Sequence, residues 1–212
     1  MDFTQALGIL QSRATPPADA SRRCVDCSEE AGAATLPPSP PLPSLASLRL
    51  PDLLRQLLER QEERVATYRY FDSGFAAFLA CAEAEGYEAL AASATTRFAS
   101  VSAAINAVGA QLDAAGGGAL AALVRQLQGL EKRKLTLTAR SHLLRHGLAV
   151  DELRARAAEE RGETVPEKEG RASRMRAEEE EEVCDELRQV VEEVNEVLDE
   201  VRGELAEMEE EQ

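Results

Sequence analysis

From residue 50 onward, apolar side chains return every three or four positions, the repeat of a helix that buries one face. The first stripe runs through Leu50, Leu53, Leu54, Leu57, Leu58, Val65, Tyr68, Phe71, Phe75, Phe78 and Leu79. It predicts a helix opening at Pro51 or Asp52, where proline suits the first turn and an acid meets the positive end of the helix dipole. The helix should close near Gly86. Glu59, Arg60, Glu62 and Glu63 fall off the stripe and are expected to face water, while Gln61 and Arg64 border it.

A second stripe, Tyr87, Ala91, Ala94, Phe98, Val101, Ile105, Val108 and Leu112, alternates steps of four and three, the spacing of a packing seam. It ends at "AAGGGA", where Gly116, Gly117 and Gly118 allow the chain to double back. Leu120, Leu123, Leu127, Leu130, Leu137 and Leu144 mark a third helix. Lys134 and Ser141 interrupt its seam, and Gly147 is its expected stop. "LAVDELRARAAEERG" extends it as a short helix, and "ETVPEKEGRAS" reads as a charged linker. Heptads then resume at Val183, Leu187, Val190, Val194, Val197, Val201, Leu205 and Met208.

These elements predict an all-α fold: an antiparallel bundle of three long helices plus a fourth, acidic, heptad-patterned helix. The expected partition is a disordered proline-rich arm over 1–48, a helical body over 49–158, a charged linker over 159–174 and the acidic helix over 175–212. An isolated helix so acidic is opposed by like charges four residues apart, so its valine stripe needs covering. The cover is either the body of the same chain or a second chain in a coiled coil. The proline run "LPPSPPLPS" is a spacer or a ligand for an SH3-like or WW-like groove.

Composition agrees with the helical reading: 44% of the 212 residues are hydrophobic, but only 4% are aromatic and there is no Trp. Charge changes the picture more. The formal net charge is -15, yet residues 175–212 hold 17 acids and 3 bases, leaving the other 174 residues at -1. A near-neutral body with an acidic end is not the footprint of a protein that binds duplex DNA through a basic face. No apolar stretch approaches the roughly 20 residues that cross a bilayer, so no membrane role is expected.

Cys24, Cys27, Cys81 and Cys184 lack the dense spacing of a secreted disulfide scaffold, and an intracellular, reducing compartment is expected. Cys24 and Cys27 form half of a zinc site, and His142 and His146 stand four apart on a helix. The pairs are separated by more than a hundred residues, unlike the nearby pairs of structural zinc sites. No metal or cofactor is therefore expected. A redox role for Cys24 and Cys27 would need a βαβ context that is absent. No nucleophile, base and orienting group stand in a recognisable motif, and "GGG" lacks the Lys and Ser/Thr of a phosphate loop. The chain is not expected to be an enzyme.

The stretch "LLERQEERVATYRYFDSGFAAFL" resembles the first helix of the "required for excision 1-B" family of DNA-repair proteins, through Leu57, Leu58, Gln61, Glu62, Arg64, Val65, Tyr68, Phe71, Gly74, Phe78 and Leu79. "TRFASVSAAI" is similar to its second helix at Thr95, Phe98, Val101, Ser102 and Ile105. "VRQLQGLEKRKLTLTA" is similar to its third at Val124, Leu127, Gln128, Leu130, Glu131, Lys134, Leu135 and Thr138. Ala91 and Ala94 stand where larger apolar residues are expected. The resemblance implies a nuclear role in excision repair of damaged DNA without a catalytic motif.

Gln61, Arg64, Glu131 and Lys134 flank the apolar stripes of two helices. They are either a pairing inside the bundle or a patch where a partner protein docks. The expected function is a non-catalytic accessory protein that docks repair partners. A coiled-coil adaptor unrelated to repair, self-associating through the last helix, is the alternative, and a cytoplasmic location would go with it.

Overall fold

The computed structural model describes residues 40, 41, 43–81 and 84–210, with side chains described for these except 81 and 84–86. Among the described residues there are helices and no strand. A 3-10 turn, Leu45–Ser47, precedes α1 (Leu50–Cys81), α2 (Ala84–Ala114), α3 (Gly118–Glu160) and α4 (Glu167–Glu210). The expected all-α class is what the chain adopts. The arm expected over 1–48 lies outside the described residues up to position 39.

Two compact units divide the chain, and α3 and α4 each contribute to both. The larger contains α1, α2, α3 up to Glu131 and α4 from Glu192. Its helix directions follow from paired positions. Leu50 on α1 lies against Gly117, and further along the same helix Arg64 bonds to Gln128 on α3, so α1 and α3 run parallel. Gly74 faces Leu90 while Arg64 bonds to Ser102, so α2 runs against α1. Two helices can run parallel with short connections only if an antiparallel one returns the chain, and α2 does so.

Apolar stripes meet in this unit as their spacing requires. Leu53, Leu54, Leu57, Phe71, Phe75, Ala91, Ala94, Ile105, Val108, Leu112 and Leu127 have no solvent exposure. Rings cluster where α1 ends and α2 begins: Tyr87 lies 4.9 Å from Phe78 and 5.7 Å from Phe75, centroid to centroid. Ala91 and Ala94, small where larger residues were expected, follow directly on α2, and the rings of α1 supply the volume they lack. Val194, Val197, Leu198 and Val201 of α4 are buried too, so the valine stripe is covered within this one chain. Arg55 ties the end of α4 to the start of α1 through Glu209 at 2.6 Å.

The smaller unit is an antiparallel hairpin of α3 from Lys132 and α4 to Val191. Leu137, Leu144, Ala158, Val183 and Val190 are buried in it. Its ion pairs descend one helix as they climb the other: Arg133 with Glu186 at 3.7 Å, Arg140 with Glu179 at 2.8 Å, then Asp151 with Arg176.

Both tight turns are built alike. Gly116 (φ 85°) and Gly162 (φ 69°) take the left-handed conformation that only glycine adopts without cost. Beyond each, backbone N–H groups reach back to close the helix: Gly117 to Leu112 at 2.9 Å and Glu163 to Ala158 at 2.8 Å.

Four expectations differ from the structure. α3 continues through Gly147, because this glycine serves close approach: a Cβ there would sit 2.7 Å from Arg176. The charged linker expected over 159–174 shrinks to residues 161–166, because Pro166 fits the start of a helix whose first turn carries Glu167 and Glu169. Val65, placed on the apolar stripe, is 38% exposed. Arg60 and Glu63, expected in water, are buried and half-buried.

Phe71 has no exposure and stands beside the Tyr87 ring, 6.3 Å away. Phe71→Ala should cost about 3–5 kcal/mol of unfolding free energy, read as a lower urea midpoint; an unchanged midpoint would remove Phe71 from the core.

Candidate buried polar layer

On α1 the spacing Gln61, Arg64, Tyr68 places three polar tips along one helical face, each three or four residues from the next. All three are almost fully buried, with Arg64 at 2% exposure. A guanidinium so placed must find partners or lose its solvation uncompensated. Its Nη2 donates to Ser102 Oγ at 2.9 Å on α2 and to Gln128 Oε1 at 2.8 Å on α3. Gln128 turns its own Nε2 toward Asn106 Oδ1 at 2.8 Å and the Ser102 carbonyl at 3.0 Å. One arginine therefore links three helices.

One turn along α3, buried Glu131 accepts from Gln61 Nε2 on one oxygen and from the Tyr68 hydroxyl on the other at 3.3 Å. Arg64 is bonded to Gln128 and Ser102 rather than directly to Glu131, whose charge nevertheless favours the guanidinium. Burial lowers the pKa of Arg64 from its usual value, opposed by Glu131 and then Tyr68. Burial raises the Tyr68 pKa well above the usual phenol value, the Glu131 charge raises it further, and Arg64 opposes both.

Of the four expected site residues, Gln61, Arg64 and Glu131 come together inside the larger unit. Lys134 lies in the hairpin, half-buried. With 2–5% exposure the first three offer a partner almost no surface, so their pairing is internal and a docking patch made of these side chains does not fit. Tyr68, Ser102, Asn106 and Gln128 complete the layer and were not expected in it. The signal was present in Gln128, three residues before Glu131, and in Ser102, one residue after the core position Val101.

A second charged cluster sits on the same pair of helices. Arg60 Nη1 donates to Glu63 Oε2 at 3.0 Å, and Arg97 Nε of α2 lies 2.8 Å from Glu63 Oε1. Elsewhere, His142 is buried and His146 half-buried on α3, while Cys24 and Cys27 lie outside the described residues. No group of three or more potential metal ligands occurs among the described residues. Cys184 is half-buried; burial pushes its thiol pKa up, and Glu180, 3.0 Å from the sulfur, adds to this.

The polar layer rests on residues from all three helices of the body, and its members span the segment over which the chain can be compared with known families. Residues 52–145 match the family model described as DNA repair REX1-B. That segment belongs to the REX1-B family. It covers a little under half of the chain and leaves out most of α4 and all of the residues before α1. No curated protein and no solved structure matches the chain. The expected resemblance is thus supported over the same three helices on which it was read, and the buried layer of Gln61, Arg64, Gln128 and Glu131 lies wholly inside the REX1-B segment.

Removing Glu131 would leave Gln61 and Tyr68 without their acceptor and Arg64 without its compensating charge. Glu131→Ala should cost about 3–5 kcal/mol in urea unfolding, a loss below 1 kcal/mol being contrary to the layer as described. The raised pKa of Tyr68 has its own signature. Above about pH 10 the unfolded phenol loses its proton while the folded one keeps it, so the folded state binds more protons and stability falls as pH rises. Tyr68→Phe should make that alkaline fall shallower, and an equally steep fall would contradict the shift.

Proposed function

We propose that the chain acts in excision repair of damaged DNA, in the nucleus, as a non-catalytic helical protein that docks partner proteins. The match of residues 52–145 to a DNA-repair family carries this reading. Three physical features support it. The polar groups of the body are engaged with one another in the interior, where they hold helices together. The one free thiol among the described cysteine side chains is held toward its protonated form, which is a poor nucleophile. The exposed outer face of α4 carries Glu178, Glu181, Glu182, Asp185, Glu192, Glu196 and Glu200, a surface that repels phosphate and favours basic protein segments.

A self-associating coiled-coil adaptor would need the valine stripe of α4 free for a second chain. Its burial within one chain favours the repair reading instead. Sedimentation equilibrium discriminates: a monomer is expected, and a tight dimer would favour the adaptor.

Cells from which the gene is removed should clear ultraviolet photoproducts more slowly, with wild-type rates restored by the full chain. Normal clearance would reject the reading. Naked duplex DNA should bind weakly and lose its affinity steeply with salt; tight binding at physiological salt would contradict the charge argument.

A further inference from the structure

The residues before α1 reach the body through one buried contact. The Pro40 carbonyl accepts a hydrogen bond from Arg60 Nη1 at 3.0 Å, and Arg60 is only 4% exposed. Around this point the charges do not balance. Arg60 and Arg97 share one carboxylate, Glu63, so the cluster carries one positive charge in surplus. Arg60 Nε and Arg97 Nε are buried without an aligned hydrogen-bond acceptor. Partly buried guanidinium groups with unmatched donors favour an additional anion, and a planar fork of N–H groups suits phosphate oxygens best.

The covalent chain brings a candidate to the spot. Residue 39 is a serine, bonded directly to Pro40. Consecutive Cα atoms are about 3.8 Å apart, so Ser39 is one peptide unit from the carbonyl that Arg60 holds. Pro40, Pro41 and Pro43 are exposed, and a proline-rich segment presents a solvated, extended backbone of the kind a kinase cleft takes up.

We propose that Ser39 is phosphorylated by a proline-directed protein kinase and that Arg60 and Arg97 receive the phosphate. In the transfer, Ser39 Oγ attacks the γ-phosphorus of ATP. The bond from that phosphorus to the β,γ-bridging oxygen breaks, ADP leaves with the electron pair, and the hydroxyl proton passes to the kinase's carboxylate base. The product carries about -1.5 to -2 charges at pH 7 and three acceptor oxygens. It neutralises the surplus positive charge and meets the unmatched N–H donors. A segment held by one carbonyl becomes pinned by charge-assisted bonds, which withdraws the proline run from other partners. This inference is independent of the repair function.

The sequence supplies an internal comparison in Thr15–Pro16, a second dipeptide of the same type. Full-length protein would be treated with a purified proline-directed kinase and ATP, and sites mapped by mass spectrometry in wild type, Ser39→Ala and Thr15→Ala. Phosphate is expected on Ser39 in wild type and Thr15→Ala. The Thr15→Ala protein, phosphorylated on Ser39, should melt about 2–4 °C higher than before treatment at low salt, with a smaller rise at high salt. Arg97→Gln should incorporate phosphate equally and lose most of that rise. Absence of phosphate at Ser39 would overturn the proposal, as would a thermal shift that Arg97→Gln leaves intact.

Discussion

A guanidinium at 2% exposure is the constraint around which the larger unit is arranged. Apolar stripes alone would let three helices slide and rotate against one another, since one leucine packs nearly as well as its neighbour a turn away. Arg64 removes that freedom. Its hydrogen bonds to Ser102 and Gln128 exist in one register of α1, α2 and α3, and any slip leaves a buried charge unpaired. Glu131, held by Gln61 and Tyr68 one turn away, adds the opposite charge at the same level of the bundle. The layer therefore acts on specificity of packing more than on total stability, which the rings and leucines supply.

Much of this architecture was legible in the chain because helices write their buried faces every three or four residues. The seam of α2 and the glycine turn at Gly116 were plain for that reason. Gly147 misled because a glycine that ends a helix and one that admits a neighbouring side chain look alike in sequence; only the approach of Arg176 separates them. Arg60 and Glu63 misled for a related reason. A charged residue off the apolar stripe is usually solvated, but Pro40 and Arg97, distant in sequence, close over this pair. Gln61, Arg64 and Glu131 were identified as a set, but their depth was not, because burial of a border position depends on how closely the third helix approaches.

The acidic helix shows how the two kinds of information combine. Its heptads required a cover, and the chain supplies one, so that valines turn inward and a continuous acidic face turns out. Proteins that bind DNA directly concentrate the opposite charge. A member of a repair family with this surface fits contact with proteins of the pathway better than contact with the lesion. The near-neutral body and the consumption of its polar groups in the interior point the same way.

The account rests on α1 and α3 being coupled through buried polar contacts, which a double-mutant cycle measures directly. Gln61→Ala, Glu131→Ala and the double variant would be unfolded in urea under identical conditions. A hydrogen bond to a buried carboxylate predicts a coupling energy of about 1.5–3 kcal/mol. Additive losses, with coupling near zero, would contradict the claim that this layer sets the register of the bundle.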